Sequence, residues 1–175
     1  MFDNLKADIK RYTKYSNGKL SGYVVFEQGL WAITVYRFGR WARTIKIPLV
    51  SHILKILAYL LFKLMEIITG ISLPASAQIG KGFYVGHFGY IVLHSDVKIG
   101  ENCSVVSGVL IGTLGLGDKG VPVIGDNVYI GAGAKILGGI QIGNNVKIGA
   151  NAVVLNDVPD GATAVGIPAR ILEKD

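Results

Sequence analysis

The side chain best suited to acid–base chemistry in this sequence is the imidazole of His87, which lies in the segment GHFGYIV. An imidazole with its ordinary pKa of about 6.5 can accept the proton of a hydroxyl group near neutral pH. His87 is therefore a candidate general base, and a surface-loop histidine without a chemical role is the alternative that its position alone leaves open. The other two histidines, His52 and His94, are expected at the protein surface.

The sequence contains one cysteine, Cys103, which excludes an internal disulfide. The chain opens with the polar segment MFDNLKADIK and shows no apolar stretch that ends in a cleavage site of small residues. These features predict a reducing, cytoplasmic setting. Cys103 falls where the surrounding repeat places small or aliphatic residues, which favours a place in the core over a role as nucleophile.

Charge and glycine are distributed unevenly along the 175 residues. Residues 1–70 contain 11 Lys and Arg against 4 Asp and Glu, whereas residues 71–175 contain 7 against 8 and hold 19 of the 24 glycines. With 50% hydrophobic residues the chain can bury a core, which excludes intrinsic disorder. We therefore expect a basic amphipathic α-helical region over 1–70 and a separate glycine-rich region over 71–175.

Aliphatic residues recur every six positions in the glycine-rich region, in three runs that together give thirteen repeats. The repeated residues are Leu73, Ile79 and Val85; Leu93, Ile99, Val105 and Ile111; and Ile124, Ile130, Ile136, Ile142, Ile148 and Val154. Glycine directly follows eight of them, and the position four residues after each is usually small or aliphatic. Neither the period of a helix nor that of a simple strand explains this spacing.

A period of six is typical of a three-sided parallel β-coil in which each short strand contributes one inward aliphatic side chain. Three repeats make one turn, so the thirteen repeats predict just over four turns. We expect the adjacent glycines to lie at the corners, where they can adopt positive φ. The sequence thus predicts a mainly β fold, a parallel β-helix with an N-terminal α-helical region and a C-terminal cap.

The repeat is interrupted twice, and an insertion in a coil must leave its packed wall. From Val85 to Leu93 the step is eight residues, and the two extra residues fall in the segment that contains His87. From Ile111 to Ile124 the step is thirteen rather than twelve, and the segment LGLGDKGVP lacks the expected inward aliphatic residue. The two interruptions mark the candidate site.

The repeat resembles that of the hexapeptide-repeat acyltransferases, whose fold is a left-handed parallel β-helix. More narrowly, the segment IGDNVYIGAGAKILGGIQIGNNVKIGANAVVLNDVPDGATAVGIPARIL resembles the C-terminal half of serine acetyltransferases almost residue for residue. The segments MFDNLKADI and GLWAITVYRFGR also resemble the short N-terminal region of that family. This resemblance implies left-handed coiling, a homotrimer and an O-acetyltransferase that uses acetyl-CoA as its cosubstrate.

The resemblance also implies roles for individual residues. His87 stands at the position of the family's catalytic histidine. Acetyl-CoA would lie in the groove between coils of adjacent subunits, with its pantetheine arm against backbone groups around Gly112, Ala132 and Ala150. Small residues at these positions let a ligand reach the backbone of the coil wall.

Three cations match family positions near the phosphates of CoA or the C-terminal end of the coil, where positive charge offsets phosphate charge. They are Lys135, Lys147 and Arg170. For the two lysines, a solvated surface charge is the alternative interpretation. The resemblance therefore implies that the residues for binding acetyl-CoA, the acetyl donor, are better retained than those for binding the acetyl acceptor.

The acceptor side departs from the serine acetyltransferase pattern at four positions. Where that family has two Asp, a Glu and a second active-site His, this chain has Ser72, Gly86, Ser95 and Val121. A site for a small zwitterion must pair both its charges, so these losses predict weak binding of free serine. The histidine also loses its usual carboxylate partner, which leaves Asp96 or a backbone carbonyl to orient it.

Two helices are expected in the basic region, over 24–46 and 47–69, with a proline at the start of the second. The polar residues of the second helix recur at three- and four-residue steps beside a wide apolar face; they are Ser51, His52, Lys55, Tyr59, Lys63 and Glu66. The three charged residues of this polar stripe argue against a transmembrane span. Residues 24–69 either contact a membrane surface or pack on the β-coil and other subunits. Nucleic acid is not an expected partner, because no binding motif accompanies the cations.

The retained histidine, the GHFGY-like motif and the short basic N-terminal region resemble polysaccharide-cluster O-acetyltransferases of the colanic acid type. The sequence therefore favours acetyl transfer to a hydroxyl of a polysaccharide or its precursor, with backbone N–H groups near Gly112 stabilising the oxyanion. A serine O-acetyltransferase of cysteine biosynthesis and a catalytically silent trimeric scaffold are the alternatives. No metal is expected, because a metal-dependent hydratase needs three converging histidines and the coil has only His87 and His94.

Overall fold

A computed structural model of the chain describes residues 2–15, 22–115, 117 and 120–172. Within these residues, helices come first and short strands follow. The helices are α1 (Phe2–Tyr15), α2 (Gly22–Val25), α3 (Gln28–Ala42) and α4 (Pro48–Thr69). The strands are β1 (Ile71–Ser72), β2 (Gln78–Ile79), β3 (Tyr84–Gly86), β4 (Ile91–Leu93), β5 (Lys98–Ile99), β6 (Ser104–Val106), β7 (Leu110–Gly112), β8 (Val123–Ile124), β9 (Tyr129–Ile130), β10 (Lys135–Leu137), β11 (Gln141–Ile142), β12 (Lys147–Ile148), β13 (Val153–Val154), β14 (Thr163–Val165) and β15 (Arg170–Leu172).

The strands form three sheets, and these are the three sides of one coil. Sheet A contains β1, β4, β7, β10 and β13, sheet B contains β2, β5, β8 and β11, and sheet C contains β3, β6, β9, β12, β14 and β15. Strands on one side pair in parallel with those one turn away, except that β15 pairs antiparallel with β14 at the C-terminal end. The predicted parallel β-helix with N-terminal helices is therefore confirmed.

The aliphatic residues at six-residue spacing form the inward face of the coil. All thirteen are buried, and the most exposed of them, Ile79, is only 6% exposed. Residues one turn apart are paired in register, as Leu93 is with Ile111 and Ile136 is with Val154. The core is thus a stack of aliphatic layers in which each layer packs mainly against the next.

The second interruption of the repeat differs from its prediction. A step of thirteen residues suggested that one side of the coil was skipped. In the structure, β7 of sheet A is followed by β8 of sheet B, so Ile111 and Ile124 occupy successive sides. The extra residues therefore form a loop at the corner between sheets A and B, of which residues 116, 118 and 119 lie outside the described residues.

The glycines that directly follow the inward aliphatic residues have a different role from the one predicted. Positive φ occurs instead three residues after the aliphatic residue, as at Asn127 (φ 58°) and Gly133 (φ 74°). The predicted corner glycines face the next turn: a Cβ on Gly80 would lie 2.6 Å from the carbonyl carbon of Gly100, and one on Gly100 would lie 2.6 Å from the carbonyl oxygen of Gly125. Close approach between turns, rather than corner conformation, requires six of these eight glycines; the exceptions are Gly86 and Gly112.

Gly100→Ala is expected to lower the free energy of unfolding by about 1–3 kcal/mol, because the new Cβ would overlap the backbone of the next turn. Denaturant unfolding followed by circular dichroism measures the effect. Gly115→Ala is the matched control, since a Cβ at that glycine meets nothing within 4 Å. Equal losses of stability in the two variants would contradict the close-approach role.

The basic region forms more helix than the sequence predicted. α1 lies outside both predicted helices, and the helix expected over 24–46 is divided into α2 and the longer α3, which ends at Ala42. The division falls at Phe26 and Glu27, between Val25 and Gln28. The pattern of polar and apolar residues therefore located helix in this region but not its boundaries.

The second predicted helix, over 47–69, corresponds to α4. Pro48 is its first residue, and Gly70 ends it in the left-handed conformation with φ 65°. Ser51, expected on the polar face, is instead buried. By length and composition alone α4 is long and apolar enough to cross a membrane, and little of it is buried inside the protein.

Two buried tyrosines join the helices to the first turn of the coil. The Tyr12 hydroxyl donates a hydrogen bond to the carbonyl oxygen of Val85 (2.9 Å) and accepts one from the Val85 N–H (3.1 Å). The Tyr36 hydroxyl bonds in the same way to the carbonyl oxygen of Ala77 (2.9 Å) and the N–H of Ile79 (3.0 Å). Burial raises the pKa of both phenols, so both remain donors at neutral pH.

A buried ion pair completes this N-terminal cap. Arg37 Nε donates to Asp8 Oδ2 at 2.8 Å, and both side chains are almost fully buried. The guanidinium also donates to the carbonyl oxygens of Ile79 (2.7 Å) and Gly80 (2.6 Å), while the Asp8 carboxylate accepts the N–H of Phe83 (2.8 Å). The pair thus satisfies backbone groups of the first turn that have no preceding turn to pair with.

Asp8→Ala is expected to destabilise the protein by about 3–5 kcal/mol, because it leaves the Arg37 guanidinium buried without its counter-charge. Urea unfolding measures the loss. The control is Glu101→Ala, which removes an exposed ion pair with Lys81 and is expected to cost less than about 1 kcal/mol. A similarly small effect for Asp8→Ala would show that the buried pair does not hold the helices to the coil.

Candidate active site

His87 lies at the corner where the chain passes from sheet C to sheet A in the first turn of the coil. It follows the buried end of β3, and its own side chain is exposed. Its backbone is in the left-handed region, with φ 64°, and Tyr90 in the same corner has φ 52°. Two non-glycine residues at positive φ in one short corner are uncommon, and such backbone strain often marks functional sites.

The corner of His87 touches the end of α4. A Cβ on Gly70, the residue that ends α4, would lie 3.1 Å from the backbone nitrogen of Tyr90. The N–H of Ile91 donates to the carbonyl oxygen of Gly70 at 3.1 Å. Phe88 and Tyr90 extend outward from this corner, 55% and 85% exposed. His87 is therefore exposed in a corner that also carries two exposed aromatic side chains and adjoins the helix–coil junction.

The first-turn corner continues down the coil as a column of hydrogen-bonded corners. The N–H of Gly108 donates to the carbonyl oxygen of Gly89 (3.0 Å), and the N–H of Asn151 donates to that of Ala132 (2.8 Å). Two of the predicted donor-site residues, Ala132 and Ala150, lie in this column, Ala132 half-buried and Ala150 exposed. Ala132, Ala150 and His87 therefore lie on one edge of the coil.

The three predicted phosphate-binding cations have different surroundings. The Lys135 ammonium donates to the carbonyl oxygens of Gly108 and, at 3.0 Å, of Gly133. Lys147 in β12 and Arg170 in β15 are exposed. Lys135 therefore bridges two adjacent turns at the same column of corners by hydrogen bonds, whereas Lys147 and Arg170 are exposed and accessible to a ligand.

Gly112 lies on a different edge of the coil from His87. It ends β7 at the corner between sheets A and B, where a Cβ would meet only the Cβ of His94, at 3.7 Å. The width of sheet A, about 10 Å for strands of three residues, separates this corner from that of His87. Gly112, at the start of the second interruption, and His87, in the first, therefore lie at different corners of the coil.

The four acceptor positions include one with an unexpected carboxylate beside it. The Ser72 hydroxyl donates to Glu66 Oε1 at 2.6 Å, and Lys63 Nζ donates to Glu66 Oε2 at 2.6 Å. Ser72 is paired with Val92 on sheet A, in the strand that follows the corner of His87. Glu66 was assigned only to the polar face of a helix, because the sequence pattern does not reveal that α4 ends against β1.

Asp96, one of the two groups expected to orient His87, lies beside another histidine instead. Its backbone N–H donates to His94 Nδ1 at 3.2 Å, and its carboxylate lies 3.9 Å from the same atom. Among the described residues, the His87 ring has no hydrogen-bond or ion-pair partner. Within the described part of the chain, no side chain therefore fixes the orientation of the imidazole.

Cys103 is fully buried in the coil, as its place in the repeat predicted. Its thiol donates to the carbonyl oxygen of Gly125 at 3.1 Å. Burial raises the pKa of Cys103 to about 11, so the thiolate is scarce at neutral pH. The structure gives this cysteine no access to a substrate.

Comparison with known proteins finds a family match for the repeat and relatives that match nearly the whole chain. Residues 122–156 match the family described as bacterial transferase hexapeptide (six repeats). A serine acetyltransferase from Synechococcus elongatus is 35% identical over 98% of this chain and 69% of its own length. The match thus covers almost all of this chain and about two thirds of the relative.

Solved structures agree with the sequence comparison. The soybean serine acetyltransferase apoenzyme superposes with a TM-score of 0.83 at 33% identity, over 97% of this chain and 68% of that protein. A serine acetyltransferase in complex with CoA gives a TM-score of 0.81 at 34% identity, over 97% and 68%. The chain spans about two thirds of the length of these proteins. On its sequence identity and coverage, this chain belongs to the serine acetyltransferase family of hexapeptide-repeat acyltransferases.

Proposed function

We propose that this protein transfers the acetyl group of acetyl-CoA to the hydroxyl of serine, with His87 as the general base. The family makes the protein an acyltransferase with acetyl-CoA as its donor. The observation that carries the proposal is the exposed His87, held at positive φ on the edge of the coil that also presents Ala132 and Ala150.

In the proposed reaction, His87 accepts the proton of the acceptor hydroxyl while its oxygen attacks the thioester carbonyl carbon. The resulting oxyanion is stabilised by backbone N–H groups near Gly112. When the C–S bond breaks, the CoA sulfur leaves and recovers the proton from His87. No covalent enzyme intermediate is required, which agrees with the burial of Cys103.

This reaction requires more than one subunit. His87 and Gly112 occupy different edges of the coil, so a second copy must supply the Gly112 side of each site. Three copies of a three-sided coil, packed around one axis, provide three equivalent clefts of this kind. We therefore retain the homotrimer that the resemblance implies, with the donor bound between neighbouring coils.

The comparisons favour serine over the sugar acceptor that the sequence analysis preferred. That preference rested on the loss of every charged acceptor group, yet the Glu66 carboxylate lies 2.6 Å from the Ser72 hydroxyl. We propose that Glu66 binds the ammonium group of serine, in place of the aspartate that the resemblance expects at Ser72. Lys63, which is bonded to the other carboxylate oxygen, holds the group in position.

A sugar hydroxyl is the second candidate acceptor. The observation that favours it is the pair of exposed aromatic side chains, Phe88 and Tyr90, in the same corner as the candidate base. Aromatic rings provide large, rigid apolar faces, which can stack on the C–H face of a sugar ring. The absence of a carboxylate at Gly86 and Ser95 also removes part of a zwitterion site.

Release of CoA from acetyl-CoA, measured with serine, nucleotide sugars and oligosaccharides in parallel, separates these candidates. Turnover with serine at the lowest KM supports the main proposal, whereas turnover with sugars alone supports the second. A protein that neither releases CoA with any acceptor nor binds acetyl-CoA in calorimetry would contradict both.

His87→Ala is expected to reduce kcat by at least about 100-fold, because it removes the proposed general base for the acceptor proton. The KM for acetyl-CoA is expected to change little. His52→Ala, which removes an exposed histidine of α4, is the control and is expected to retain full activity. Full acetyl transfer by His87→Ala would exclude the proposed mechanism.

Glu66→Gln is expected to raise the KM for serine by about 10-fold or more, because it removes the carboxylate that pairs with the ammonium group. The KM for acetyl-CoA is expected to stay the same. Glu101→Gln, a neutralisation elsewhere on the coil surface, serves as the control. An unchanged KM for serine in Glu66→Gln would remove Glu66 from the acceptor site while leaving the role of His87 intact.

A further inference from the structure

α4 carries an apolar face that is largely exposed to solvent in the part of the chain that the structure describes. Nine aliphatic side chains on this helix are more than 40% exposed. They are Leu49, Val50, Ile53, Ile56, Leu57, Leu60, Leu64, Ile67 and Ile68. At 3.6 residues per turn, these positions fall on one broad side of the helix. Over the 22 residues of α4 this side is about 33 Å long. It forms one continuous apolar patch, unlike the single exposed apolar residues that are common on protein surfaces.

The opposite side of α4 already packs on the protein. Ser51, Ala58 and Thr69 are buried, and α4 runs along α3. A polar stripe between the two sides carries His52, Lys55 and other charged residues. The exposed apolar side is therefore not the side that packs in the protein core. A continuous apolar surface of this kind marks a site of interaction with another molecule or a membrane.

Positive charge predominates on α4 and in the segment before it. From residue 38 to residue 69 the chain has five Lys and Arg against one Asp or Glu. Arg43, Lys46 and Lys55 are exposed, whereas Arg40 donates to the carbonyl oxygen of Ser76 (3.5 Å) and Lys63 is paired with Glu66. An apolar helix face bordered by cations and exposed to solvent is the pattern of a helix that lies on an anionic lipid surface.

The charge also argues against pairing of this face with the same face of a second copy of this chain. Two such faces brought together would place the same cationic borders beside each other, and like charges repel in a desolvated interface. An anionic bilayer instead supplies both an apolar interior and compensating negative charge. Its surface is the occupant that complements both properties of the face.

Spanning the bilayer does not fit the geometry, although α4 has the length for it. One side of the helix is packed along α3, and a lipid-embedded helix would have to carry that neighbour with it. Lys63 and Glu66 would also be placed inside the hydrocarbon layer, where charged groups are costly. The helix can satisfy its contacts with protein only by lying parallel to the membrane plane.

We propose that α4 docks the protein on the surface of an anionic phospholipid bilayer, with its exposed aliphatic face in the acyl-chain boundary and its lysines at the headgroups. Because α4 ends at Gly70, beside the corner of His87, docking holds that corner close to the membrane surface. The proposal concerns α4 alone and does not depend on the acceptor of the acetyl group.

Flotation of the full-length protein with vesicles tests the proposal. Phosphatidylcholine vesicles with and without about one third phosphatidylglycerol are compared at low and high salt. The double variant Ile53→Glu/Leu60→Glu places charge at the centre of the exposed face. His52→Glu/Tyr59→Glu makes the same charge change one residue earlier in each case, on the polar stripe of the same helix.

The wild type is expected to float with anionic vesicles and not with neutral ones, and to be released by high salt. Ile53→Glu/Leu60→Glu is expected to lose at least 10-fold in partitioning, and His52→Glu/Tyr59→Glu less than 3-fold. No flotation of the wild type, or equal losses in both variants, would overturn the proposal. A fall in oligomeric mass of Ile53→Glu/Leu60→Glu in lipid-free solution would also overturn it and assign the face to self-association.

Discussion

Every turn of this coil depends on backbone hydrogen bonds to the turn before it and the turn after it, so the first turn has an open edge. Side chains of α1 and α3 close that edge. Tyr12, Tyr36 and the buried pair of Asp8 and Arg37 bond to the carbonyl and N–H groups of residues 77–85. Without this cap, the coil would present a row of unpaired backbone groups to solvent or to another chain.

The same pairing between turns decides where chemistry can occur. Layers of aliphatic residues fill the inside of the coil, and the close approach between glycines of adjacent turns leaves no room for a ligand within the wall. Functional side chains are therefore restricted to corners, where an insertion does not disturb the layers. His87 and the loop after Gly112 occupy two such corners on different edges. A site that uses both must form between subunits, which links catalysis to assembly.

The sequence was sufficient for the fold because a six-residue repeat is a local property. Each repeated residue from Leu73 to Val154 lies on the predicted inward side. Two details were wrong for a physical reason: the repeat alone does not distinguish a glycine needed for positive φ from one needed for close approach, nor a skipped side from a corner loop. Those distinctions depend on contacts between residues of different turns, such as Gly100 and Gly125.

By itself, the sequence determined the coil, its inward residues and a histidine at the first break, because each follows from local spacing. Only the tertiary structure decided what surrounds these residues. It engaged Lys135 with backbone carbonyls, placed Asp96 beside His94 and brought Glu66 to Ser72. It also left one side of α4 exposed. Contacts between a helix and a coil depend on their relative placement in three dimensions, and no periodicity in either segment encodes that placement.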